Sequence, residues 1–474
     1  MKQLYLGIDV GTTHLKVCAI DEKGNCLAVA ERDQEFSVDN SYGDCIRAED
    51  LFERCAECIF QILQTVNAEC VRAIGITSMA EAGIPIDDSG NALMPLVPWN
   101  GKKTLIHKPE FPDKLSEFAI YEKTGLCWHP KYTINRILMM QNNRSDLLEK
   151  MNCFLSVSDY ILFRLTGDKK TDESLACRTM LYHIHKREWD SELTEYCGMK
   201  GKLPEVIKND ADWPLMSEKM TKMFGLKKVK VCVAGHDHLC ATKALGISNH
   251  DILNSMGTSE VYIGFLEELP NPEVLFENGI LLGRFQNKYY WICNLPSSGA
   301  SIEWFRNLYK IQERKISYRM LMEIPYERNT SLIYLPFVNG AGTHRKKKIE
   351  GGFFGIEMDS EIKKMLGAIY EGIACESSTI LKKLLSAGII FDKIYTVGGG
   401  TKNKNLMQVK ADFTEHVFEI DRQTQATAIG AAMIAGKLCG RKKIERSVHP
   451  DDLEKKQCRD KYNKYEQLIK KLEE

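Results

Sequence analysis

The same short plan occurs twice in this chain, half its length apart. Leu4-Tyr5-Leu6-Gly7-Ile8-Asp9 runs into Val10-Gly11-Thr12-Thr13, and His14-Leu15-Lys16-Val17-Cys18 leads out. Ile252-Leu253-Asn254-Ser255-Met256 runs into Gly257-Thr258-Ser259, and Glu260-Val261-Tyr262-Ile263 leads out. Each reads as a β-hairpin, with aliphatic and β-branched runs around a glycine turn. Two copies of one supersecondary unit imply two domains of one fold. A turn of small residues leaves backbone N–H groups and hydroxyls facing outward, ready for an anion such as a phosphate. Asp9 does not suit a bare phosphate cradle. It does suit a divalent cation, since Mg²⁺ is usually held by one or two carboxylates together with phosphate oxygens. On D-x-G-T alone a tight hairpin with a polar tip accounts for the first copy equally well. The echo makes the pair a nucleotide clamp.

At 474 residues the chain exceeds what one hydrophobic core holds, which again gives two domains. Lys plus Arg and Asp plus Glu both number 64, so the formal charge is zero and a nucleic-acid partner is not expected. A strand begins almost at the N-terminus, with no basic and apolar leader, and no run approaches membrane-spanning length. The sixteen cysteines are scattered without a repeating framework, which fits reduced thiols in the cytoplasm. Cys55-x-x-Cys58 has no second pair to complete a zinc site and lies in the helix-like stretch 50–67, so core packing is expected.

Taken in order, a strand at 26–30 follows the first hairpin, and residues 71–77 form a buried strand ending near Glu81. A short strand at 83–86 follows. Trp99-Asn100-Gly101-Lys102-Lys103 then brings an aromatic and cations near the strand ends. From about 110 to 213 the pattern turns helical, with 133–141 and 158–165 clearest, as in a helical insertion. The run 230–234 is another buried strand, ending at Gly235-His236-Asp237-His238. Asp237 there reads as a general base aimed into a cleft. His236-x-His238 is also a metal-ligand spacing, which would suit a metallohydrolase, but no further His or Cys with matching spacing supports it. His183-x-His185 reads as surface or packing. In the second half, Ser297-Ser298-Gly299 precedes a helix expected from Ile302. Gly398-Gly399-Gly400 joins a strand to a helix opening near Asn405, and both are candidate nucleotide contacts. Arg345-Lys346-Lys347-Lys348 reads as a solvated loop, and the charged tail after Pro450 as an amphipathic helix.

In this order and spacing, Gly7-Ile8-Asp9-Val10-Gly11-Thr12-Thr13, Thr171-Asp172-Glu173-Ser174-Leu175-Ala176, Ala234-Gly235-His236-Asp237, Met256-Gly257-Thr258-Ser259, Gly299-Ala300-Ser301-Ile302, Glu371-Gly372-Ile373-Ala374 and Gly398-Gly399-Gly400-Thr401 resemble the FGGY carbohydrate kinases over residues 3–437. The resemblance implies an α/β fold of two actin-like, ribonuclease-H-like domains with an interdomain ATP cleft. Residues 1–245 would be the sugar-binding domain with its insertion, 246–440 the nucleotide-binding domain, and 441–474 a charged C-terminal helix. The implied activity is transfer of the ATP γ-phosphoryl group to a hydroxyl of a small sugar, sugar alcohol or related polyhydroxy compound. By motif, Asp9 and Asp237 would attend Mg²⁺, with Asp237 the catalytic base. Thr12, Thr13, Lys16, Gly257 and Thr258 would lie near phosphates, and Gly299, Glu303, Gly399, Gly400 and Asn403 around the nucleotide. Glu81, Trp99, Lys103, Trp128, Asp237 and His238 would line the sugar pocket.

This chain departs from the family where the sugar binds. Trp99-Asn100-Gly101-Lys102-Lys103 replaces a common Trp-x-Asp-x-Arg, Ala80 stands where glycerol kinase has its pocket arginine, and Thr133 replaces a signature lysine. The sugar's identity and the oligomeric state, with a homodimer as one option, stay open. The rival from another class is a nucleotide-regulated actin-like assembly or sensor module. It would need the ATP clamp but has no use for a base at Asp237.

Overall fold

The computed structural model describes residues 3–99, 109, 111, 115–311, 314–345, 347, 349–423 and 425–474. Lys103 and the cations beside it lie outside the described residues. The chain forms two compact units. One comprises Met1–Ile247, Leu282–Tyr289 and Gln425–Lys442; the other comprises Ser248–Leu281, Tyr290–Thr424 and Lys443–Glu474.

The first unit is built on strands β1 (Leu4–Val10), β2 (His14–Asp21), β3 (Cys26–Asp33), β4 (Val71–Ser78) and β5 (Lys230–His236), in the order β5-β4-β1-β2-β3. β1 and β2 form the expected antiparallel hairpin, which sets Asp9 opposite Lys16. β4 lies parallel to β1, and β5 parallel to β4. The central strands are near-continuous apolar runs because both faces are covered. Gly7 and Gly75 sit side by side so that the helix Ala426–Ala435 can lie directly on the sheet. A Cβ at Gly7 would stand 1.8 Å from the Ala428 carbonyl oxygen, and one at Gly75 would stand 2.0 Å from that of Ala431. The helix Ala48–Leu63 buries Cys55 and Cys58 in the same core as Leu6 and Ile8, so the C-x-x-C is packing, as expected.

The insertion is not purely helical. Between the helices Glu117–Thr124, Thr133–Asn143, Val157–Thr166 and Glu173–Cys177 lie the short strands Cys153–Ser156 and Lys170–Asp172, and Glu205–Ile207 follows the last of them. Cys153–Ser156 pairs antiparallel with Gly83–Ile86. Strands of three or four residues are too short for alternation to be read against helical surroundings.

In the second unit, β6 (Asp251–Met256), β7 (Glu260–Leu266), β8 (Lys288–Leu295), β9 (Lys393–Val397), β10 (Phe418–Asp421) and β11 (Ile444–Val448) run in the order β8-β7-β6-β9-β10-β11. The echo is structural. β6 and β7 form an antiparallel hairpin and β9 lies parallel to β6, the arrangement of β1, β2 and β4. The helix expected from Ile302 begins four residues earlier, as Ser298–Leu308. Ser298 and Gly299 are weak helix formers, but the Ala300 N–H donates to the Thr258 carbonyl oxygen at 2.9 Å, fixing that first turn against the hairpin.

Arg345 corrects the solvated-loop reading. Its side chain is 5% exposed and is bonded by Glu376 of the buried helix Ile362–Ser386 and by Glu466 of the terminal helix Lys455–Glu473. The tail helix also buries Cys458, Tyr465 and Ile469, with the Tyr465 hydroxyl donating to Glu376 at 2.8 Å. It is a packed part of its unit.

Candidate active site

Asp237 is the first residue of the helix Asp237–Leu245, directly after β5 ends at His236. Gly235 makes this junction, with φ 117°. A Cβ there would meet Ser174 Oγ at 2.7 Å and Asp172 Oδ1 at 3.0 Å. The Gly235 carbonyl oxygen accepts from Thr77 Oγ1 at 2.6 Å, and the His236 N–H donates to Ser174 Oγ at 2.8 Å. Asp172 caps the helix Glu173–Cys177 through the Ser174 N–H at 2.7 Å; burial pushes its carboxyl up to about 7. The segment 171–176 that carries part of the family resemblance therefore braces the base.

The Asp237 carboxylate accepts the His238 N–H at 2.6 Å and faces His236 Nε2 at 3.1 Å and His238 Nε2 at 3.9 Å. Burial pulls His236 down to about 3, against the opposing charge of Asp237, so its imidazole is neutral at pH 7. His236 Nδ1 has no hydrogen-bond partner among the described residues. Ligand atoms of His236, Asp237 and His238 lie within 4.8 Å of one another, the geometry that leaves the His-x-His metal reading standing.

β1 and β5 are both parallel to β4, so Asp9 and the segment carrying Asp237 come to the same end of the sheet. Strand carboxyl ends are where open α/β sheets bind ligands. Burial pushes the Asp9 carboxyl up to about 7, the Asp237 charge adds to the rise, and Lys16 opposes it. Two hard carboxylates, one of them near enough for its charge to be felt at Asp9, are a donor set that suits Mg²⁺, and the two groups implied for that ion fit it. Lys16 is also 3.4 Å from Glu31, and Thr12 Oγ1 lies 3.9 Å from Met79 Sδ. Thr13 is exposed at the turn tip.

Glu81 follows β4 with φ 63°, an uncommon left-handed conformation for a residue with a side chain. It is buried and taken up by a residue that sequence reasoning missed. Arg178 donates to Glu81 Oε1 from Nε at 2.9 Å and from Nη2 at 2.5 Å. Burial would raise the Glu81 carboxyl, but Arg178 and Lys131 outweigh it and hold it below its usual range. Arg178 stands two residues beyond the 171–176 stretch, the one signal that could have found it. Trp128 packs edge-on against Phe111 at 5.7 Å, and Trp99 is partly buried against the first unit's core.

In the second unit, Gly257 and Thr258 form the exposed tip between β6 and β7. Gly299 packs against it so closely that a Cβ would stand 2.2 Å from the Gly257 carbonyl oxygen. Residues Gly399–Lys402 form a short 3₁₀ turn after β9, leaving Gly399 exposed and Gly400 partly so. Asn403 is already employed. Its Oδ1 caps the helix Lys404–Thr414 by accepting the Leu406 N–H at 3.0 Å, and its Nδ2 donates to the Tyr370 hydroxyl at 3.2 Å. Glu303 is likewise held, by Arg306 at 2.7 Å, by Lys315 and by the Tyr318 hydroxyl at 3.0 Å. Beneath these turns lies a second missed cluster. Glu260 accepts from Lys410 Nζ, from Asn254 Nδ2 at 2.9 Å and from Ser298 Oγ at 2.8 Å, with Glu260 and Lys410 wholly buried.

Comparison with known proteins agrees with this architecture. Among curated relatives, the xylulose kinase of Bacillus subtilis is 26% identical over 445 residues, covering 91% of this chain and 87% of the relative. The glycerol kinase of Aquifex aeolicus is 26% identical over 469 residues, covering 95% and 92%. A crystal structure described as a xyloylose kinase from Brucella ovis superposes with a TM-score of 0.88 at 19% identity, covering 99% of both chains. The models of the N-terminal and C-terminal domains of one family match residues 4–246 and 252–439 respectively, and the chain belongs to the FGGY family of carbohydrate kinases.

Proposed function

We propose that this ATP-dependent carbohydrate kinase uses Asp237 as the base that accepts the proton of the attacking hydroxyl. The observation that carries the reading is that Asp9 and the segment carrying Asp237 come to the same end of the first unit's sheet, where the Asp237 charge is felt at Asp9. Phosphoryl transfer asks little covalent chemistry of a protein; positioning and charge neutralisation do most of the work. Asp237 is placed for this by its strand, by Gly235 and by the Ser174 brace, and His236 and the His238 N–H orient its carboxylate. Asp9 and Asp237 would hold Mg²⁺, which supplies neutralisation of phosphate charge when bound. Residues 1–245 would bind the sugar and 246–440 the nucleotide.

The roles implied by the family divide on the geometry. Thr12, Thr13, Gly257, Thr258, Gly399 and Gly400 sit on turns with backbone or hydroxyls outward, which supports phosphate and nucleotide contacts. Glu303 and Asn403 would act through their backbones or by shaping the site, because their side chains are engaged. Glu81 would meet the sugar through its second oxygen and through Arg178. A cytoplasmic location is part of the proposal, supported by sixteen reduced cysteines. No helix among the described residues is long and apolar enough to cross a membrane. A homodimer is the oligomeric state to test, by light scattering.

The deciding experiment is ADP release by the whole protein with ATP and Mg²⁺, with and without a panel of ketoses, aldoses, polyols and aldonates. Release that depends on one acceptor, with a phosphorylated product, is expected. Release indifferent to every acceptor would favour the actin-like sensor reading instead.

A further inference from the structure

One peptide unit leads into the residue before Asp237, and side-chain hydroxyls grip it at both ends. Its carbonyl oxygen, on Gly235, accepts from Thr77 Oγ1 at 2.6 Å, and its N–H, on His236, donates to Ser174 Oγ at 2.8 Å. Thr77 comes from β4 and Ser174 from the helix Glu173–Cys177 of the insertion, so two distant stretches of chain hold a single plane. Both residues are wholly buried. The carbonyl has a second, longer contact, from Cys240 Sγ at 3.8 Å. This plane needs holding. The register of β5 against β4 shifts between Val233 and Gly235, and Gly235 has no Cβ to limit rotation of the peptide that follows it.

Ser174 holds the N–H because of where its own proton goes. A serine hydroxyl has one proton and two lone pairs. The proton goes to Asp172 Oδ1, which also accepts the Ser174 N–H at 2.7 Å. A lone pair is left towards the peptide, and it suits an N–H but repels a carbonyl oxygen. With the plane turned over, the Gly235 oxygen would face that lone pair, and a buried acceptor would lose its donor. One orientation is therefore satisfied and its reverse is not. His236 continues in the extended conformation, with φ −61° and ψ 139°, and Asp237 opens the helix, so the plane's setting reaches the Asp237 carboxylate within two residues. We propose that Ser174 is a positioning residue: with Thr77 and with Asp172, which sets the direction of its hydroxyl, it fixes the Gly235–His236 peptide and so aims the Asp237 carboxylate at the attacking hydroxyl. This rests on the kinase reading above and adds how its base is held.

The test measures kcat and KM of the full-length enzyme with ATP and Mg²⁺ and the best acceptor among D-xylulose, glycerol and D-gluconate. Ser174→Ala should lower kcat by about ten- to a hundredfold, the usual result of misplacing a reacting group, with both KM values within about threefold of the parent. Thr77→Val should act in the same direction but less, since the Cys240 thiol still reaches the carbonyl, and Thr77→Ser should restore the parent rate. The decisive arm places Ser174→Ala in an Asp237→Asn background. With no base left to aim, the residual kcat should change by less than about threefold. An equal loss in both backgrounds would mean general damage and overturn the positioning role. Parental kcat in a folded Ser174→Ala protein, beside an inactive Asp237→Asn, would also overturn it and leave the kinase reading intact. If Ser174→Ala fails to fold, the Thr77 pair decides, and Thr77→Val at the parent rate would overturn the proposal. Full turnover in Asp237→Asn, or ADP release indifferent to every acceptor, would overturn both readings.

Discussion

Each unit buries a carboxylate beside a lysine near the turns that carry its proposed chemistry, and the two clusters are built differently. In the second unit, Glu260 is saturated by Lys410, Asn254 and Ser298, and the charges cancel. The cluster ties the hairpin β6–β7, the start of the helix Ser298–Leu308 and the helix Lys404–Thr414 to one point. In the first unit, Glu81 takes two bonds from Arg178 on one oxygen, and Lys131 stands by without a hydrogen bond among the described residues. A saturated pair is scaffolding; a lysine near a carboxylate that another cation already holds is not part of a closed network. A closed polar network fixes geometry, whereas an incomplete one is costly unless a ligand completes it.

The comparison breaks most visibly at Asp237. Asp237→Asn keeps the size and the acceptor for the His238 N–H but cannot take a proton. We expect kcat to fall by about two to four powers of ten, with sugar Kd and melting temperature little changed. Near-normal turnover in the folded variant would remove Asp237 from the reaction and return attention to the two histidines as metal ligands.

Lys410→Met should show the opposite signature. It leaves Glu260 ionised and uncompensated in a dry site, at a cost of about 3–5 kcal/mol in urea unfolding. The double variant Lys410→Met/Glu260→Gln should recover most of that loss. If the single variant unfolds like the parent, the cluster is not the scaffold described here.

The smallest effect concerns Asp9 without metal. Its folded-state pKa, about 7, lies above the unfolded value. The protonated form is therefore favoured on folding, and stability is lost as pH rises from about 4 towards 7. Asp9→Asn should flatten that part of a melting-temperature profile recorded in EDTA, and Mg²⁺ should raise the parent's curve near pH 7 but not the variant's. A profile unchanged by the substitution would show that Asp9 is not the group responsible.

Much was legible before any coordinates. The two hairpins, the strands read at 71–77, 83–86 and 393–397, the buried C-x-x-C and the position of Asp237 beyond a buried strand follow from local pattern. Apolar alternation, glycine turns and strand ends are written in consecutive residues. The short strands of the insertion and the early start of the helix at Ser298 were hidden, because long-range pairing decides them rather than periodicity.

The sequence by itself determined the hydroxyl-lined turns, the doubled domain plan and the chemistry offered by Asp9 and Asp237. Only the tertiary structure decided which charges meet. Arg178 reaches Glu81 across 97 positions, Lys410 reaches Glu260 across 150, and Arg345 leaves an apparently solvated basic loop to meet Glu466 across 121. An ion pair leaves no mark in the spacing of its members. It depends on where the backbone brings two side chains and on how much water is excluded there, and both are properties of the packed chain.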